Sequence, residues 1–277
     1  MEQPLAGESV AGPTVPRPTF PDEYLDWLAS DHGVTIGADT ESEYAAFARH
    51  LERQFRASSF FELLPQRLLD LHANYKVEKG TALLASPSQT ISIDMKSWTS
   101  FFEKSYRRNI RDNEQWPLPP DRGWVLPESW FNRIGDVVRT LVVVRYLDGM
   151  DEVAGAMSQL AQDTGLSASV GRVAKVEGYY ATHADIAFST RVPVGLDVAV
   201  VPTSVEIQIT TELQANIRDL AHGHYERRRM AEESDPKTWQ WDYRGAEFSS
   251  NYLGHVLHYL EGMIMQLREG TDEKRVD

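Results

Sequence analysis

Residues 140–147 read TLVVVRYL, a β-branched run with almost no polar interruption. A half-exposed strand alternates apolar and polar side chains, whereas a near-continuous apolar run calls for cover on both faces. Such a strand needs other strands beside it and helices over it, and the adjoining sequence supplies both. DEVAGAMSQLAQDTG follows as a helix, with Asp151 the expected cap and Gly165 the expected stop. SASVGRVAKV, GYYATHADIAFST and TSVEIQIT read as further strands, and ELQANIRDLAHGHYERRR returns to helix.

Helical patterns bracket this middle region. Thr40 followed by Glu43 has the form of a capping box, and Tyr44, Phe47, Ala48, Leu51 and Phe55 then recur at helical spacing. ELLPQRLLDLHANYK reads as a second helix, kinked or restarted at Pro65. Near the C-terminus, Phe248, Tyr252, Val256, Leu260, Met263 and Leu267 form an apolar stripe, with His255 and His258 flanking it. The expected fold class is α/β (α+β): a mixed central β-sheet flanked by helices, with N- and C-terminal helical additions. The expected organisation is a flexible tail at 1–20, a helical region at 21–90, the sheet domain at 91–230 and a helical extension at 231–277.

Composition removes several chemistries. The 277 residues include no cysteine, which excludes disulfides, thiolate nucleophiles and cysteine zinc sites, and fits a reducing cytoplasm. No apolar run approaches membrane-spanning length, and MEQPLAGESVAGPTVPRPTF lacks the apolar stretch of a signal peptide. A net charge of −13 argues against a surface that coats nucleic acid, although YRRNIR and ERRR are short basic tracks. P-loop, dinucleotide-binding, zincin and nucleophile-elbow motifs are all missing.

Four weaker patterns remain. In DMKSWTSFFEKSYRR, Lys96, Ser100 and Lys104 are four apart, one stripe on a helix and suited to polyphosphate. Asp136 stands at the mouth of the apolar strand, where a carboxylate can hold a metal ion together with phosphate oxygens. KVEGYYATH offers Lys175 and His183 for phosphates and Tyr179 as a flat ring, around the tight turn that Gly178 permits. In VEIQIT, Glu206 and Gln208 share the polar face of a strand. Taken singly, these patterns are better read as a solvated helix face, a turn cap, an ordinary hairpin and a water-facing strand.

Their order along the chain resembles the nucleotidyl-pyrophosphokinase domain of the RelA/SpoT alarmone synthetases, over roughly residues 90–230. VEIQIT looks like that family's Glu-Ile-Gln-Ile-Arg-Thr strand, KVEGYYATH like its Lys-x-x-Gly-Tyr-x-x-x-His loop, and KSWTSFFEK keeps the Lys, Ser and second Lys of its ATP helix. VVRYLDG and GYYATH look closest to the small, toxin-like single-domain synthetases. The resemblance implies transfer of the β,γ-pyrophosphate of ATP to a ribose 3′-hydroxyl, on a guanine nucleotide or on the 3′ end of tRNA. It implies Mg²⁺ held by Asp136 and Glu206, with Glu206 also orienting or deprotonating the hydroxyl. Lys96, Ser100 and Lys104 would hold the ATP phosphates. Tyr179 would stack on the acceptor base, and Lys175, His183 and Gln208 would order phosphate and ribose. Toxin-like members also imply an antitoxin protein as partner; the oligomeric state is left open.

The sequence departs from the family pattern at several positions. Asp94 stands where an arginine is usual, Arg139 and Leu141 replace a glycine and an arginine after the metal aspartate, Thr210 replaces the arginine of the Glu-x-Gln-x-Arg strand, and Glu177 replaces an asparagine. Asp94 either faces the ATP site or is turned away from it, with Arg107, Arg108 or Arg145 taking over. The alternative reading is a RelA/SpoT-like nucleotide sensor or protein-interaction module with weakened turnover.

Overall fold

The structure is a computed structural model and describes residues 16–20, 22–88, 91–194, 197–218 and 238–272. Helices α1 (Asp22–His32), α2 (Ala38–Arg56) and α3 (Ser59–Lys79) lead into a short strand β1 (Ile93–Met95) and helix α4 (Trp98–Tyr106). A π-helical turn (Arg107–Arg111) extends α4, and the four-residue helix α5 (Trp130–Arg133) precedes β2 (Val138–Val144). Helix α6 (Asp148–Asp163) is followed by β3 (Ser167–Ala174), β4 (Tyr180–Val194) and β5 (Asp197–Thr211). Residues 212–218 are helical, and α7 (Ala246–Asp272) closes the chain.

The five strands form one mixed sheet in the order β1-β2-β5-β4-β3. β2 and β5 pair in parallel, while the other neighbours are antiparallel. This is the expected α+β architecture. The parallel pair needs a long connection, and α6 with the β3–β4 hairpin provides it.

One expectation about β2 fails. Its residues alternate between buried and half-buried, so the strand is covered fully on one face only. Val138, Val142 and Val144 face the core with Ile186, Val205, Ile207 and Ile209, under Val153, Met157 and Leu160 of α6. Each such fully buried aliphatic side chain contributes about 1.5–3 kcal/mol of hydrophobic stabilisation. The N-terminal helices add Tyr24, Leu28, Leu51, Phe55, Phe60 and Leu64 to the same contiguous core. Phe55 meets Phe188 of β4 with ring centroids 5.7 Å apart. Ordered contacts reach into the segment read as tail: Arg17 Nη2 donates to Asn113 O at 2.9 Å, and Phe20 packs on Tyr106.

Helix ends differ from expectation for local reasons. Thr40 is not the cap of α2. Gly37 is, and its N–H donates to Thr40 Oγ1 at 3.2 Å from the third helical position. α3 neither stops nor restarts at Pro65, which lies inside one continuous helix capped by Ser58. α6 starts at Asp148, three residues before Asp151, and the expected stop at Gly165 adopts the left-handed conformation (φ 74°).

The apolar stripe of the C-terminal helix points outward: Tyr252, Val256, Leu260, Met263 and Leu267 are exposed. The buried side carries Asn251, Gly254 and Glu261, with His258 and Arg268 half-buried between solvent and protein. Among the described residues, no helix is long and apolar enough to cross a membrane.

Candidate active site

The sheet face away from α6 is polar. Arg139 of β2 registers with Glu206 of β5, and Glu206 with Asp185 of β4; Gln208 registers with His183. Directly paired residues share a face, so these side chains project to one side.

One half of the site is built around Asp136, in the turn before β2. That turn lies against Ser204 of β5, two residues before Glu206. Lys96 Nζ donates to Asp136 Oδ2 at 3.0 Å, and Lys104 Nζ sits 2.9 Å from Oδ1. The second contact is a close ion pair, so each oxygen of the Asp136 carboxylate faces an ammonium group. Burial pushes the Asp136 pKa up, but the two ammonium charges outweigh it and hold the carboxyl well below its ordinary value. Lys96 is pushed down by burial and by Lys104, against the pull of Asp136.

Local structure explains this placement, with one correction. Ser97 caps α4 by accepting from Ser100 N at 3.3 Å, so Lys96 precedes the helix instead of sharing a stripe with Ser100 and Lys104. The β1 end holds Lys96: its N–H donates to Val137 O at 2.9 Å, and Tyr44 O–H donates to Lys96 O at 2.6 Å. Both lysines therefore reach Asp136 from different backbone elements. Ser100 lies half-buried in the first turn of α4 between them.

The other half surrounds Glu206, which is 9% exposed. His183 Nδ1 lies 3.0 Å from Oε2, and Gln208 Nε2 donates to Oε1 at 2.6 Å. Arg218, on the helical segment after β5, donates from Nη1 to Gln208 Oε1 at 2.9 Å. The Tyr179 hydroxyl is 3.1 Å from His183 Nε2, and Lys175 Nζ stands 5.4 Å from the centre of the Tyr179 ring. Because Nδ1 faces a carboxylate, it carries a proton, so in the neutral ring Nε2 accepts from Tyr179 O–H. Burial raises Glu206, and the His183 hydrogen bond and charge more than offset it, leaving the pKa lowered. Burial pushes the Tyr179 phenol up to about 12. Burial and the Glu206 charge raise Asp185.

The two halves share one electrostatic field. The Asp136 charge acts on Glu206 and Asp185, and the Arg139 charge acts on Lys96 in one half and Tyr179 in the other. Asp94 registers opposite Arg139 and is exposed, so it stands on the face of Glu206 and is not turned away. Arg108 feels both Asp136 and Asp185 and lies nearer this centre than its position after α4 suggests. Thr210, in the place of a family arginine, is buried and donates to Tyr180 O at 3.1 Å.

Sequence reading missed Tyr44, Asp185 and Arg218. Asp185 was legible, since it follows His183 at the two-residue period of a strand. Tyr44 comes from a distant element and Arg218 from the helical segment directly after β5, where the strand period no longer applies. The ERRR track lies outside the described residues. Among those described, no cluster of three or more His, Cys, Asp or Glu side chains gathers as a metal site.

No family model matches the chain, and no curated protein is significantly similar to it. Solved structures are similar at low identity. Small alarmone synthetase 1 from Bacillus subtilis, bound to its product pppGpp, is 14% identical, with 76% of this chain and 92% of that one covered at a TM-score of 0.47. A GTP pyrophosphokinase family protein from Streptococcus pneumoniae is 15% identical, with 80% and 95% covered and a TM-score of 0.46. Small alarmone synthetase 2 from Bacillus subtilis is 17% identical, with 75% and 97% covered and a TM-score of 0.42.

Proposed function

We propose that this protein transfers the β,γ-pyrophosphate of ATP to a ribose 3′-hydroxyl. The observation that supports it best is the paired construction above: a carboxylate between two lysines and a carboxylate between a histidine and an amide, in one field on one open sheet face. In this reaction the 3′-oxygen forms a bond to the β-phosphorus, the bond from that phosphorus to the α-phosphate oxygen breaks, and AMP leaves. The protein's part is to compensate charge and align the two substrates.

Lys96 and Lys104 bind the ATP phosphates, with Arg108 and Arg139 adding positive charge at the rim. Glu206 accepts the proton of the attacking hydroxyl; His183 and Gln208 hold its carboxylate in place, and its lowered pKa keeps it ionised at neutral pH. Tyr179 offers its ring to the acceptor base, and Lys175 and Arg218 lie beside it for acceptor phosphate and ribose. Mg²⁺ fits this donor set, because such an ion is held by one or two carboxylates plus phosphate oxygens, and Asp136 and Glu206 are buried carboxylates near enough for the charge of one to act on the other. Asp136 and Glu206 would hold it. Bound there, it would neutralise charge on the β- and γ-phosphates.

The acceptor is a guanine nucleotide or the 3′ end of tRNA. The exposed Arg108 and Arg111 form a short basic edge for the latter. Incubation of the full chain with γ-labelled ATP, Mg²⁺ and each acceptor tests the reading: label moves to an acceptor with one AMP released per transfer. Label in neither acceptor, or label released as phosphate with ADP, overturns it. Steep loss of tRNA labelling with salt selects the tRNA acceptor.

A nucleotide sensor is the second reading, and Asp94 favours it. A carboxylate on the Glu206 face opposes phosphate where the resemblance calls for an arginine. Calorimetry showing tight nucleotide binding without transfer selects that reading.

A further inference from the structure

The loop bearing Tyr179 does not stand alone. It is the turn between β3 and β4, closed by Lys175 N donating to Tyr179 O at 3.0 Å and Gly178 N donating to Lys175 O at 2.9 Å. Against it runs α7, a helix more than sixty residues later in the chain. Gly178 has a positive φ of 78°, and a Cβ there would lie 2.3 Å from Asn251 O. The reverse holds too: a Cβ on Gly254 would lie 2.4 Å from Gly178 O. Backbone meets backbone at this crossing, which only glycine on both sides allows.

Polar contacts lock the crossing. His255 Nε2 is 2.8 Å from Val176 O, and its Nδ1 is 2.8 Å from the Tyr180 hydroxyl. A carbonyl can only accept, so Nε2 carries the proton and Nδ1 accepts from Tyr180 O–H. One imidazole thus spans the loop from Val176 to Tyr180, with Tyr179 between the two anchors. Gln214 Nε2 donates to Gly254 O at 3.0 Å, and the His258 ring stacks on Tyr180 at 3.7 Å. This explains why the buried side of α7 is polar. It grips a turn made of backbone groups, which apolar side chains would leave without partners.

We infer that α7, through Gly254 and His255, is the element that holds the Tyr179 loop in register, so that acceptor recognition, and not ATP binding, depends on it. Both are positioning residues and act through Tyr179. The inference rests on the proposed transferase reading only for the name of the ligand; the holding of the loop stands apart from it.

The test uses the full chain with His255→Ala, His255→Gln and Gly254→Ala. Backbone hydrogen exchange of residues 175–180 is expected to rise about tenfold or more in His255→Ala and Gly254→Ala, the loss of one net hydrogen bond or more. Exchange of β2 and β5 stays at the wild-type rate. His255→Gln, which keeps a donor toward Val176 O, restores most of the protection. In steady-state kinetics the acceptor KM rises about tenfold in His255→Ala while the ATP KM stays within twofold. Unchanged exchange in the loop overturns the inference, and so does an equal change in both KM values. A wild-type protein that transfers nothing to any acceptor sinks the transferase reading, and the exchange measurement still decides whether α7 holds the loop.

Discussion

Asp136 and Glu206 are equally buried, and the surroundings of each differ in a way that assigns their work. Asp136 is compensated by two full positive charges, Lys96 and Lys104. That cluster has a surplus of one charge and is suited to bind more anion. Glu206 is compensated by a histidine and a neutral amide, themselves tied to Tyr179 and Arg218. That half is a hydrogen-bond relay with one strong acceptor at its centre, suited to take a proton from a hydroxyl. Two carboxylates on one sheet face thus serve a phosphate half and a hydroxyl half, and each half can be damaged separately.

Glu206→Gln breaks the hydroxyl half hardest. Transfer is expected to fall about 10³-fold, the scale of a lost general base, with a thermal midpoint near that of the wild type. A large drop in the midpoint would make Glu206 a structural group. Lys96→Met damages the phosphate half through stability. Lys96 is 6% exposed, and breaking a buried pair costs about 3 kcal/mol, readable as a lower urea midpoint. Lys104→Met, on a more exposed side chain, raises the ATP KM with a smaller loss of stability. Equal stability losses in both would erase the difference between structural and substrate-facing lysine.

Tyr179→Ala sharpens the comparison from the acceptor side. Removing one stacking ring costs about 1–3 kcal/mol of base affinity, expected in the acceptor KM and absent from the ATP KM. pH separates the halves as well. Asp136 has a folded pKa below its unfolded value, so its stabilising contribution is present above the unfolded value and lost as pH falls toward the folded one. Thermal midpoints measured downward from about pH 5 should drop more steeply in the wild type than in Asp136→Asn. Parallel curves would contradict the ion-pair description. The smallest effect belongs to Asp94→Arg. An exposed charge opposite Arg139 is screened by solvent, so the ATP KM should fall only about threefold.

Much of this was legible in the sequence because strands have a fixed period. The alternation in VEIQIT placed Glu206 and Gln208 on one face, and β5 keeps them there. The same rule would have found Asp185. Helix boundaries were harder: Ser97 caps α4 with its hydroxyl one residue after Lys96, and Gly37 caps α2 through backbone geometry that the pattern does not encode. Lys96 thereby fell outside the helix and still reached Asp136. The apolar stripe of α7 was read correctly as a stripe, but periodicity gives the spacing of a face and not which face is covered. Gly254 and His255 decide that through contact with a turn remote in sequence. Tyr44 was illegible for the same reason, being brought to the site by tertiary packing alone.

The phosphate half and the hydroxyl half are held to meet at one ion, with Asp136 on its one side and Glu206 on the other. Binding of Mn²⁺, used as a spectroscopic stand-in for Mg²⁺, can be measured with a non-hydrolysable ATP analogue in wild type, Asp136→Asn, Glu206→Gln and the double variant. A shared site predicts that each single variant weakens Mn²⁺ binding and that the double variant is little worse than the poorer single one. Losses that add independently, or Mn²⁺ affinity untouched by either substitution, would show that the two halves share no ion and contradict it.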